Sequence, residues 1–255
     1  MKMRAWLAFA LAFLTGCVER APVSEKDANI YQKAVFYNSD RPYSDRKRDK
    51  ERKPAEILEF AGVKPGDKVI DLLGGGGWYT EILSDVVGDE GHVYLVNTPL
   101  FLHIAQQDME ERLQGKRFNN VTRVDSPWGD LNLPTDIDVI WIALSFHDIY
   151  VKRPPKNKDW EADPEHFFEQ LRKSLKPGGL LLITDHAARA ESKLEDIKLH
   201  RIDEQFVIDE LQREGFTLLR KSQALRNQND QYELDIWKKQ VRRNTDRFVH
   251  LYQKK

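Results

Sequence analysis

His147-Asp148 and Asp185-His186 each set an imidazole beside a carboxylate, and each pair closely follows an apolar run. An imidazole changes charge near neutral pH and ligates transition metals, and a carboxylate can orient it. One chemistry open to the four residues is acid–base work: His147 takes a proton from a substrate oxygen or nitrogen while Asp185 orients an imidazole. A second is a divalent metal site, with His200 or Asp203 added from the helix expected to follow. A plain structural alternative is that these side chains cap helices and satisfy buried backbone groups.

The other chemically telling stretch is Gly74–Gly77, which follows Val69-Ile70-Asp71-Leu72-Leu73 and precedes Trp78-Tyr79-Thr80-Glu81-Ile82-Leu83. The apolar run has the pattern of a strand buried on both faces, and Ile82, Leu83 and Val86 fall at helical spacing. Glycines between the two let the backbone turn tightly and approach a ligand, since no Cβ intervenes. An ordinary tight turn needs one or two glycines, so four favour a nucleotide-like ligand. A dinucleotide fingerprint would need a further glycine at position 79 or 80, where Tyr79 and Thr80 stand, and an NAD site is disfavoured.

The same stretch resembles the first motif of class I S-adenosylmethionine (SAM)-dependent methyltransferases, hydrophobic-x-Asp-x-Gly-x-Gly-x-Gly. Asp71 takes the acidic position and Gly75 and Gly77 the second and third glycines, while Leu73 departs from the pattern at the first. Lys176-Pro177-Gly178-Gly179 and Gly215-Phe216, each before an apolar run, are also similar to that fold. The resemblance runs from about Lys53 to Lys255. It is closest to a bacterial family of predicted, often exported, methyltransferase-like proteins, through Arg52-Lys53-Pro54, His147-Asp148, Asp185-His186, His200-Arg201-Ile202-Asp203, Leu225-Arg226-Asn227 and Thr245-Asp246-Arg247-Phe248. It implies SAM as cofactor, lined by Asp71, Gly74, Gly75, Gly77 and Tyr79. By alignment to the fold, Asn97 takes the place of a carboxylate that accepts ribose hydroxyls, and Asp125 lies near the adenine. An amide oxygen accepts at one atom where a carboxylate offers two.

These residues need elements that bring them together. Strands are expected at 69–73, His92–Val96, Val121–Val124, Val139–Leu144, Leu180–Thr184, Phe216–Leu219 and Arg247–Tyr252. Helices are expected at Asp27–Phe36, from Pro54, from Tyr79, at Leu100–Leu113, at Pro164–Leu175 and, as one long element, at Lys193–Glu214. The charged run Ser39–Lys53 mixes both signs and reads as a solvated helix face. Lys152–Lys158, with two prolines, reads as a loop that covers a site. Strand and helix alternate, so the fold class is α/β: a doubly wound, mostly parallel seven-stranded sheet, Rossmann-like, with an antiparallel C-terminal strand. In such sheets ligands sit beyond the carboxyl ends of the strands, where the glycines, Asn97, Asp125 and both His/Asp pairs all fall.

Met1-Lys2-Met3-Arg4 followed by apolar Ala5–Leu14 reads as an export leader, too short to span a bilayer comfortably. Leu14-Thr15-Gly16-Cys17 resembles a bacterial lipobox, so residues 1–16 are expected to be removed and Cys17, the lone cysteine, lipidated. Residues 17–26 would be a tether and 27–255 a single domain in the cell envelope, membrane-anchored and periplasmic. The chain holds 40 Lys and Arg against 41 Asp and Glu. Losing Lys2 and Arg4 with the leader leaves 38 against 41, so no net basic field favours nucleic acid. The expected activity is methyl transfer to a small molecule or envelope component. A silent ligand-binding lipoprotein and a metal-dependent hydrolase using the His/Asp pairs are the alternatives.

Overall fold

The computed structural model describes residues 23–114 and 117–255. The expected leader, the lipobox and Cys17 lie outside the described residues. Seven strands form one sheet: β1 (Lys68–Leu72), β2 (His92–Asn97), β3 (Val121–Asp125), β4 (Ile137–Ala143), β5 (Leu175–His186), β6 (Phe216–Ser222) and β7 (Arg247–Lys254). Their order is β3-β2-β1-β4-β5-β7-β6. Neighbours from β3 to β5 run parallel, and β7 is antiparallel to both β5 and β6. This is the expected doubly wound sheet. Chain order reverses between β1 and β4, which places the crevice of the fold at their carboxyl ends.

Alternation along each strand sorts the core into two layers. Ile70, Leu72, Ile140, Ile142, Leu181 and Ile183 face one side, and Val69, Val139, Trp141 and Leu182 face the other; all are buried. Helices α4 (Pro54–Ala61) and α5 (Trp78–Val87) cover the second layer. Helices α7 (Pro164–Ser174) and α8 (Glu204–Arg213) cover the first. Helix α6 (Pro99–Leu113) follows β2 and has fewer buried residues, Leu100, Phe101 and Met109.

Two expected element boundaries are corrected. The long helix at Lys193–Glu214 is broken: Ile197–Leu199 is a 3-10 turn, His200 is left-handed at φ 56°, and α8 begins only after Asp203. The reason is a bond to the sheet. Ile202 donates to His186 O at 3.0 Å and accepts from Ala188 N at 3.0 Å, so its backbone is extended and cannot be helical. Strand β5 also begins earlier than expected. Leu175 pairs with Ile137 and Leu180 with Val139, so Lys176–Gly179 bulge out between the two pairings.

The charged run Ser39–Lys53 is only in part a solvated helix face: Arg46, Lys47 and Lys50 are exposed, but Arg41 and Asp45 are buried. It makes two short helices, α2 (Tyr43–Arg46) and α3 (Asp49–Arg52). Arg41 is buried, donating to Val35 O at 2.7 Å and to both oxygens of Asp49 at 2.8 Å. The guanidinium groups of Arg41, Arg48 and Arg52 lie 5.6, 5.4 and 4.8 Å from the centre of the Trp78 ring. The aromatic face attracts the cations and packs their stems.

Candidate active site

Strand β1 ends where its chain turns sharply. Leu73 adopts φ 59°, Gly75 57° and Gly77 76°. At its departure from the motif, Leu73 thus keeps the left-handed backbone that a glycine takes without cost, at a penalty of about 1–2 kcal/mol for an L-residue. A buried leucine side chain and the Leu73 N–H bond to Val96 O at 2.8 Å hold it there. Leu144 repeats the device at the end of β4, with φ 62° and its N–H donating to Thr184 O of β5 at 2.7 Å. Asp71 is buried and accepts from Thr80 Oγ1 at 2.6 Å. Burial outweighs that bond and nearby Arg52 and Arg112, raising its pKa to about 6.

The glycines serve the protein's own packing as well as its turn. A Cβ on Gly74 would meet Asp71 at 2.6 Å, and one on Gly76 would meet Asp108 Cβ of α6 at 2.7 Å. Arg112, also on α6, donates from Nε to Gly76 O at 2.6 Å and from Nη2 to Asp45 Oδ2 at 2.6 Å. Its Nη1 bonds the fully buried carboxylate of Glu81, which Arg117 also reaches. Helix α6 therefore rests on the glycine turn. The turn is left-handed at Leu73, Gly75 and Gly77, and α6 lies directly against its glycines.

Asn97 is spent on this turn. Its Oδ1 accepts from Gly75 N and its Nδ2 donates to Gly75 O, and the side chain is buried. Asp125 sits opposite it on β3, with its carboxylate held at 2.6–3.0 Å by Arg123. Tyr79 is buried against Trp78 and Trp141, with ring centres 4.6 and 4.9 Å away. Burial pushes its phenol up to about 12. The hydroxyls of Thr98 and Ser145, which follow β2 and β4, are buried without a hydrogen-bond partner. Burial and the charge of Arg48 both lower the Arg52 pKa, as happens where cations gather.

Of the two His/Asp pairs, three members converge. Asp185 is fully buried; its Oδ1 accepts from His147 Nδ1 at 2.8 Å and its Oδ2 from His147 N at 2.7 Å. Asp148 Oδ2 lies 3.6 Å from His147 Nε2, and Asp148 Oδ1 accepts from Arg153 Nη2 at 2.7 Å. His186 turns away: its Nδ1 meets Thr245 Oγ1 at 2.6 Å, and its ring centre is 6.1 Å from that of His147. Successive residues of a strand face opposite sides, so Asp185 and His186 do not serve one point. Burial alone would lower the His147 pKa, but Asp185 and Asp148 outweigh it and lift it to about 9. The two carboxylates thus favour the charged form of the ring in the free site. Burial drives His186 well below its ordinary value.

His200 takes the fourth place, its Nδ1 3.3 Å from His147 Nε2. Asp203 does not join; it caps α8, accepting from Gln205 N at 2.9 Å and from Lys193 N at 3.1 Å. Lys152 and Lys158, from the expected covering loop, both bond Glu161, and Arg153 alone reaches the cluster. Sequence reasoning singled out Arg52 but did not find Arg112, Arg153, Arg41 or Arg48. Charged residues in mixed runs carry no local mark of burial.

No protein-family model matches the chain. In sequence it is similar to the ubiquinone/menaquinone biosynthesis C-methyltransferase UbiE of Teredinibacter turnerae, 30% identical over 141 residues, 54% of this chain and 50% of that protein. UbiE of a Shewanella species is 29% identical over 130 residues, 50% of this chain and 46% of that one. The chain spans about half the length of the curated relatives it matches. In structure it is similar to a SAM-dependent methyltransferase from Aquifex aeolicus, with a TM-score of 0.56 and 22% identity, covering 81% of this chain and 97% of that one. The fold is that of the class I SAM-dependent methyltransferases.

Proposed function

We propose that this chain is a SAM-dependent methyltransferase of the cell envelope, lipidated at Cys17 and acting on a small molecule or an envelope component. The observation that carries the reading is the turn after β1. Left-handed Leu73, Gly75 and Gly77 stand behind a buried Asp71, beside the switch point of a methyltransferase fold. The sequence likeness to methyltransferases supports it. Their own acceptors, quinone precursors by name, are the first class to test.

SAM supplies an electrophilic methyl group on sulfur, and transfer needs little beyond in-line placement of the acceptor. The chain's residues would bind and orient. Gly75 and Gly77 let backbone approach the cofactor, Asp71 and Thr80 brace the turn from behind, and the arginines around Trp78 match an amino-acid carboxylate in charge. Asn97, already bonded to Gly75, would shape the turn rather than accept ribose hydroxyls. Since Ala105, Asp108 and Arg112 lie on the glycines, cofactor entry requires α6 to withdraw.

Calorimetric titration of SAM and S-adenosylhomocysteine into the chain tests the reading. Micromolar binding that is lost in a folded Gly75→Val/Gly77→Val variant is the expected result. Absence of binding up to millimolar ligand would overturn it.

A further inference from the structure

We propose that His147, Asp148 and His200 form a binding site for one divalent transition-metal ion of the zinc class. One donor atom from each residue lies within 4.8 Å of the other two. His147 Nε2 is 3.3 Å from His200 Nδ1 and 3.6 Å from Asp148 Oδ2. Ligands about 2.0–2.1 Å from a tetrahedral zinc are about 3.3 Å from one another. Two of the three edges already have nearly that length. The third closes by rotating the side chain of His200, which lies on a loop.

The surroundings orient these donors as the neighbours of metal ligands do. Asp185 accepts from His147 Nδ1, so in the neutral ring that nitrogen carries the hydrogen and Nε2 turns its lone pair to Asp148 and His200. Asp185 is itself immobilised, accepting also from the backbone N–H groups of His147 and His186. Arg153 binds the Asp148 oxygen that does not face His147, and so fixes the carboxylate. His200 is held in the left-handed region at φ 56°, a conformation tolerated where surrounding structure demands it.

Two imidazoles and one carboxylate suit zinc, cobalt, nickel or iron(II) and leave coordination positions for water or a substrate oxygen. Magnesium and calcium prefer oxygen ligands throughout. The ligands arrive from two places: His147 and Asp148 from the 3-10 turn after β4, His200 from the loop before α8. The site lies at the carboxyl ends of β4 and β5. The metal proposal does not depend on the methyl-transfer reading.

The test uses the full chain, stripped with a chelator and then titrated with Zn²⁺ by calorimetry and with Co²⁺ by visible absorption. One ion per chain is expected, with the Co²⁺ bands of a four- or five-coordinate nitrogen–oxygen site. His200→Asn and Asp148→Asn should each weaken binding at least about tenfold, and Asp185→Asn by about 10–100-fold through loss of the bond that orients His147. His200→Asn is the variant safest for folding, since asparagine tolerates the left-handed backbone and the position is not fully buried. Its thermal melt should match the parent in chelator. Failure of either ion to bind saturably, or binding left unchanged by His200→Asn and Asp148→Asn, would overturn the proposal. The cluster would then be an imidazolium–carboxylate network only.

Discussion

Asn97 holds both backbone polar groups of Gly75: Oδ1 accepts from the Gly75 N–H at 2.8 Å, and Nδ2 donates to the Gly75 carbonyl at 2.9 Å. An amide can do both, and a carboxylate cannot donate. That is a physical reason for an asparagine at the end of β2. Asn97→Asp should cost about 1–3 kcal/mol, because it sets an anionic oxygen against a buried carbonyl. Urea unfolding measures the loss, and a variant as stable as the parent would refute the account.

Leu73 offers a reversal of the usual rank of glycine and alanine. At an ordinary strand position glycine is worse than alanine by about 0.5–1 kcal/mol. At φ 59° the order should invert, with Leu73→Gly more stable than Leu73→Ala by about 1 kcal/mol. The same pair made at Leu72, within β1, should keep the ordinary order. Both positions lose a buried leucine, so the comparison isolates the backbone.

The Asp71 carboxyl rises from 3.8 to about 6 on folding, because burial outweighs its bond to Thr80. The folded chain therefore holds this proton more tightly than the unfolded chain. The resulting stabilisation is fully present below pH 3.8 and is lost as pH rises through about 6. Across that window the loss is about 3 kcal/mol. Asp71→Asn keeps an acceptor for Thr80 and should remove this part of the pH dependence. Parallel stability curves for parent and variant between about pH 4 and pH 7 would count against it.

Arg112 joins α6 to the glycine turn, to Asp45 and to Glu81, whose side chain is fully buried. Replacing one partner of a buried pair leaves a charge without compensation. Arg112→Met should cost about 3 kcal/mol, and adding Glu81→Gln should recover part of it. Full additivity of the two changes in a double-mutant cycle would show that the pair is not coupled.

The glycine turn and the strands around it were legible because their signals are local. An apolar run marks a strand buried on both faces, and left-handed turns select glycine. The strand at Leu180–Thr184 was read too short because Lys176–Gly179 looks like a plain turn. In fact the bulge lets Leu175 pair across it with Ile137. The helix read through Lys193–Glu214 failed because periodicity cannot show that Ile202 bonds to the end of β5.

The site divides along the same line. By itself the sequence determined that His147-Asp148 and Asp185-His186 closely follow two apolar strands, since strands and their ends show in local apolar patterns; that the two strands are neighbours was implied by the resemblance in fold and is seen in the sheet. Only the tertiary structure decided that His186 leaves the cluster and that His200, 53 residues after His147, enters it. It also decided that arginines of the charged run close on Trp78 and that α6 settles on the glycines. These are contacts between side chains far apart in the chain. Their energy comes from burial and charge pairing that exist only once the sheet has assembled.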